Sequence, residues 1–287
     1  MIPQTPNPTP PPSPKFYNIR TSYNEYEIVG LITELFELLL KLAYFSNDQV
    51  TWPPQEGHKI NETLCKELHL EPAVISLMKK IPYVDERVEL FPRSFPYSFL
   101  DDDNIIASRD PERIPPHEDQ ESDFRVNNLL PHDIALSYHW REEGLALALD
   151  TSENTIRLIP WEIWGDDLVG LGLERPEDPT HYRNLPAQHA PSYFRSLIER
   201  IKSLELIPAG SGQFGREYHD STDHKVRNEV KTLLTDIYGW PDDFRQDAWF
   251  HDVEEVWDYV IRKALRVKEE KARERRSNVH VLNRSKI

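Results

Sequence analysis

Two hydrophobic periods run along this chain. Ile28, Leu31, Ile32, Leu35, Leu38, Leu39 and Leu42 recur at helical spacing and predict a helix over 23–46. Val29, Phe36 and Phe45 widen its apolar face, so it should touch more than one element. Between 129 and 161 the period drops to two. Ile134, Leu136 and Tyr138 alternate with Ala135 and Ser137; Leu145, Leu147 and Leu149 alternate with two alanines; Thr155, Ile156 and Leu158 open a third run. Arg141–Gly144 reads as a hairpin loop, and Asp150–Asn154 as a turn whose polar side chains bond their own backbone. Three antiparallel strands in a meander follow. The small residues on one face suggest that a helix packs closely there.

Other segments arrange themselves around this sheet. Asn61 can cap a helix through Leu64 and Leu68, and Pro72 can open another through Val74, Ile75, Leu77 and Met78. An amphipathic pattern from Pro191 through Phe194, Leu197, Ile198, Ile201 and Leu204 supplies a cover for the sheet. Val226, Val230, Leu233, Leu234 and Ile237 share a further helical face that Gly239 stops, and a last helix runs from about Asp247 through Leu265. The stretch 85–128 reads as irregular, with an acidic loop at 101–123. Gly210–Gly215 reads as a hinge before a helical extension.

The composition narrows the class. A net charge of −15 opposes general nucleic-acid binding, because phosphate is repelled. The single cysteine, Cys65, allows no intramolecular disulfide and fits a reducing compartment, cytoplasm or nucleus. No run of about 18 uninterrupted apolar residues occurs, so no membrane span is expected. Residues 1–14 hold seven prolines and read as an extended tail without the apolar stretch of a signal peptide. From Arg262 to Lys286, ten Lys or Arg stand against three Glu, a separated basic patch on an acidic chain.

No motif fixes a reaction. The chain has no GxSxG elbow, HExxH helix or dinucleotide fingerprint, and GSGQFG lacks the phosphate-loop Lys and Ser/Thr. His132-Asp133, His219-Asp220 and His251-Asp252 are His-Asp pairs, but their contexts do not match a metal phosphohydrolase, and no metal ligand, catalytic residue or cofactor is expected. Asp101–Asp103 reads as a turn or helix start rather than a calcium loop, since no glycine follows at loop spacing. Trp140, Trp161, Trp164 and Tyr182 form a candidate aromatic binding rim, with His181 and His189 beside it.

The helix pair ahead of Pro82, then LLPHDIAL, LALALDTSENTIRLI and the helix PSYFRSLIERIKSL, resembles the SUKH superfamily of fungal cell-wall-assembly regulators and bacterial immunity proteins. Leu149-Asp150, the strand from Ile156 to Ile159 and the aromatic-led helix from Tyr193 to Leu204 carry that resemblance, which spans roughly 60–207. The motifs at Trp52 (WPP), Leu100 (LDDD) and Tyr238 (YGWP) are also similar to those of a group of filamentous-fungal proteins. The resemblance implies an interaction scaffold with no shared catalytic residues.

The sequence therefore predicts an α+β protein whose small antiparallel sheet, near 133–159, is covered by helices at 28–45, 61–80 and 191–205. Its divisions are a disordered tail at 1–22, a SUKH-like domain at 23–207, a helical extension at 208–265 and a basic tail at 266–287. The expected role is a non-enzymatic regulatory scaffold that meets a protein partner on the sheet's open side, without membrane or general nucleic-acid binding. The alternative is an enzyme or accessory protein of a fungal specialised-metabolite pathway, with a small-molecule pocket near His132, His181 and His189. A nuclear role using the basic tail is a third option.

Overall fold

The computed structural model describes residues 19–84, 88–92, 94–111, 125–139, 144–160, 181–212, 215–219 and 224–284. Its chain order is α1 (Glu25–Lys41), β1 (Val50–Thr51), α2 (Glu62–Glu67), α3 (Pro72–Met78), β2 (Tyr83–Val84), β3 (Ser94–Pro96) and α4 (Asp102–Ala107). Then come β4 (Asp133–Ala135), β5 (Ser137–His139), β6 (Leu145–Asp150), β7 (Thr155–Pro160), β8 (Ala187–His189), α5 (Ala190–Lys202), β9 (Ile207–Gly212), β10 (Gly215–His219), α6 (His224–Thr232) and α7 (Gln246–Arg284). The fold is α+β, with small antiparallel sheets of two to four strands.

Local chemistry sets the helix starts. The Asn24 side chain accepts from the Glu27 N–H, and the Asn61 side chain accepts from the Leu64 N–H. Pro72 occupies the first turn of α3, where its missing N–H costs nothing. Asp101 accepts from the Asp103 N–H, so the triple aspartate is the capped start of α4.

The expected meander is present, with two changes. Its first strand divides at Leu136: β4 pairs with β6, whereas β5 pairs with β3. The main sheet also gains a fourth strand, in the order β4-β6-β7-β8, because Ala187–His189 pairs with Thr155–Arg157. Register places Asp133 opposite Asp150, Asp150 opposite Thr155, and Thr155 opposite His189. Strand alternation then puts Ala135, Ala148, Arg157 and Ala187 on that same face. Ala148 and Ala187 flank Arg157 directly, so the small residues leave room for a buried guanidinium.

Ala146 through Asp150 are all buried, as are Asp133–Ala135 and Ala187–His189. Both faces of the central strand are covered, so the open side expected for partner contact is absent from these strands. Helix α5 packs on β7 and β8, and α1 packs chiefly on α5.

The expected hinge is also corrected. Ile207–Gly212 and Gly215–His219 pair as a hairpin. Glycine and proline disfavour strands locally, but tertiary contacts override that preference. The Tyr218 hydroxyl donates to the Leu90 carbonyl at 2.9 Å, and its ring lies 5.4 Å from that of Tyr44. The C-terminal helices join the same core. Trp249 donates its indole N–H to the Leu42 carbonyl at 2.7 Å, and Trp240 donates to the Lys202 carbonyl at 2.8 Å. Among the described residues, no helix is long and apolar enough to cross a membrane.

Candidate functional site

The main concentration of ionisable side chains in the sheet lies where β4, β6 and β7 begin or end. Directly opposed carboxylates repel, and Asp133 and Asp150 are opposed, each only about 1% exposed in its side chain. The turn Tyr182–Asn184 supplies the compensation. The Arg183 guanidinium donates to Asp150 Oδ2 at 2.5 Å, reaches Asp133 Oδ2 at 3.4 Å and touches Glu153 at 3.4 Å. The Tyr182 hydroxyl donates to the Asp133 carboxylate and accepts from the Leu130 N–H at 3.0 Å. Arg157 lies 3.5 Å from Asp150 and 3.8 Å from Glu153. Arg109 donates to the backbone carbonyls of Asp133 at 2.8 Å and Leu130 at 3.0 Å, closing the far side.

The β6–β7 turn completes Asp150. Its Oδ1 accepts the N–H groups of Ser152 and Glu153, each at 2.8 Å, so the carboxylate organises the turn that the sequence predicts. Asn154 takes the left-handed conformation there, with φ of 55°.

The two carboxyls titrate in opposite directions. Burial, then repulsion from Asp150, holds Asp133 above the ordinary carboxylate range. Burial opposes ionisation of Asp150 as well, but the Glu153 N–H and the Arg183 guanidinium outweigh it and hold that carboxyl low. Burial pushes the Tyr182 hydroxyl up, and the neighbouring Asp133 charge adds to the effect. It also lowers Arg157 and Arg109.

The expected site residues disperse. Trp140, Trp161 and Trp164 lie outside the described residues. The described strand that precedes Trp161 in sequence, β7, ends at Pro160, which pairs with Leu145 at the far end of β6 from Asp150. Six residues of strand separate the two ends, about 17 Å at roughly 3.3 Å per residue. Tyr182 is fully buried, so it is a core anchor and not a surface contact. His181 accepts the Arg183 N–H at 3.1 Å and stacks on Tyr182 with centroids 4.7 Å apart. His189 is hydrogen-bonded to Thr21 and Ser192, each at 2.8 Å, and burial lowers its pKa. The register sets His189 three strands from Asp133, about 14 Å at ~4.8 Å per strand. The three histidines therefore do not line one pocket.

His132 does stand in the cluster. Its Nδ1 faces Glu71 at 3.8 Å and its Nε2 faces Asp133 Oδ1 at 4.0 Å. The grouping of Asp133, Asp150, Arg157 and Arg183 is not among the sequence expectations. The signal that could reveal it is an acid at the end of each of two otherwise apolar strands, DIA and LALALD, since a buried charge needs a partner. Elsewhere, an open groove of about 600 Å³ lies between Pro53–Gly57, α2 and α3, bordered by the Lys79–Glu62 ion pair. No family model, curated protein or solved structure matches the chain.

Proposed function

We propose that the protein is a non-enzymatic interaction scaffold that works in the cytoplasm or nucleus and binds a protein partner. The observation that supports this reading is how the sheet's ionisable side chains are used. Tyr182, Arg183, Arg157 and the carboxylates of Asp133 and Asp150 are largely spent on one another, and the two aspartates are sealed from solvent. Groups bonded mainly to one another inside a sheet hold its strands together, whereas an organic substrate needs several groups that it can reach from solvent. The resemblance to the SUKH superfamily supports a protein partner, and a buried, lone Cys65 fits a reducing compartment.

The contact surface in this reading is carried by Trp140, Trp161 and Trp164. Aromatic side chains of this kind dominate the energetics of protein interfaces. The test is affinity purification from native cells with the intact chain and with a Trp161→Ala, Trp164→Ala variant. Tyr182 stays unchanged, because its hydroxyl holds the sheet cluster. A stoichiometric protein captured by the intact chain and lost by the variant is the expected result. Failure to capture any such protein, or loss of a co-purifying small molecule instead, sinks the reading in favour of a ligand pocket.

A further inference from the structure

We infer that His132, Asp133 and Asp150 form a binding site for one divalent transition-metal ion of the zinc type. Each residue offers a donor atom, and the three atoms lie within 4.8 Å of one another. Chain and register together create this set. His132 and Asp133 are adjacent at the start of β4, and Asp150 faces Asp133 across the ladder.

The decisive atom is Asp133 Oδ1. The side chain is 1% exposed, yet this oxygen has no hydrogen-bond partner among the described residues. Buried carboxylate oxygens are nearly always satisfied, and leaving one bare costs the full penalty of its desolvation. Its neighbour across the gap is His132 Nε2 at 4.0 Å, too far for a hydrogen bond. An ion between them fits better, since ligand bonds of about 2.1 Å set tetrahedral donors roughly 3.4 Å apart. A modest closure of the three side chains therefore suffices.

The surroundings complete the pattern of a metal site. Glu71 lies behind His132, 3.8 Å from Nδ1. That distance is too long for a hydrogen bond, but the carboxylate's charge on that side favours the proton on Nδ1, which leaves the Nε2 lone pair for the ion. His132 is about one-fifth exposed, which provides an entry path and a solvent-facing fourth position. Asp150 has given Oδ1 to two backbone N–H groups; its Oδ2 accepts one close hydrogen bond among the described residues, from Arg183, and so keeps a lone pair. Arg183 and Arg157 reduce the negative charge there, whereas Glu71 and Glu153 restore it. One imidazole with two carboxylates suits zinc or manganese better than calcium or magnesium, which prefer all-oxygen shells.

The inference is independent of the scaffold reading, because an ion here can brace the fold without taking part in chemistry. The test uses the full chain, stripped with a chelator, dialysed and titrated calorimetrically with Zn²⁺. His132→Ala removes the exposed ligand and leaves the Tyr182–Asp133–Arg183 bonds in place. His251→Ala is the control, since His251 pairs with Asp252 on the surface of α7. Circular dichroism verifies that both variants fold. The expected result is one Zn²⁺ per intact chain, at least tenfold weaker binding in His132→Ala and no change in His251→Ala, with a zinc-dependent rise in melting temperature that His132→Ala loses. The inference is overturned if the intact chain shows no saturable binding, or if His132→Ala binds as tightly as the intact chain.

Discussion

Replacing Arg183 with Met removes a guanidinium that spans both buried aspartates while keeping most of the side-chain volume. The substitution breaks the hydrogen bonds to Asp150 at 2.5 Å, Asp133 at 3.4 Å and Glu153 at 3.4 Å. Stranding a buried charge by deleting its partner costs about 3–5 kcal/mol. Arg157 still stands 3.5 Å from Asp150, so the lower end applies, ~3 kcal/mol. At roughly 2–4 °C per kcal/mol for a chain of this size, the melting temperature should fall by about 6–12 °C. Urea denaturation followed by circular dichroism at pH 7 measures the loss.

The sign of the pH dependence follows from the two carboxyls. Asp150, held low, contributes stability that is present above its unfolded value and lost as pH falls through the folded one. Asp133, held high, contributes stability that is complete below its unfolded value and lost as pH rises through the folded one. Deleting Arg183 removes a cause that lowers both. The variant's deficit should therefore be full at pH 7 and shrink on acidification, beginning above the ordinary carboxylate range, because Asp133 takes up its proton there once Arg183 no longer holds it down. A loss below about 1 kcal/mol at pH 7, in the range of a surface ion pair, would falsify the view that Arg183 clasps the sheet.

Other outcomes follow from single positions. Tyr182→Phe should cost about 1–3 kcal/mol in a urea titration, because it strips a donor from Asp133 and an acceptor from the Leu130 N–H. Trp249→Ala should cost about 3–5 kcal/mol, since the indole is 1% exposed and tied to Leu42; a change within the error of the melt means that α7 does not pack on α1. Gly30→Ala should stabilise by roughly 0.5–1 kcal/mol in the same titration, because Gly30 is an exposed position in α1 and an added Cβ meets nothing within 4 Å. Gly239→Ala should do the reverse by a larger margin, because φ is +75° and a Cβ would stand 2.2 Å from the Asp243 carbonyl oxygen.

The elements legible in the residues alone are those whose signals are local. Apolar spacing located α1 and α5, Asn61 and Pro72 marked the starts of α2 and α3, and alternation located β6 and β7 with the Asp150–Asn154 turn between them. Each signal lies within one turn or one strand, so the residues that write it are the residues that obey it. The β9–β10 hairpin and β8 escaped, because IPAGSG and AQH carry weak strand preference; β8 is held by β7, and the hairpin is anchored by Tyr218 to Leu90 and Tyr44, all distant in sequence. The candidate site is likewise a product of long-range pairing. Asp133, Asp150 and Arg183 come together only because β4 and β6 pair in one register and the 182–184 turn returns to the same end of the sheet. A shift of one residue in that register would send the two carboxylates to opposite faces. Local pattern sets where strands begin and end; pairing, with each buried charge needing an opposite charge within reach, sets which side chains meet.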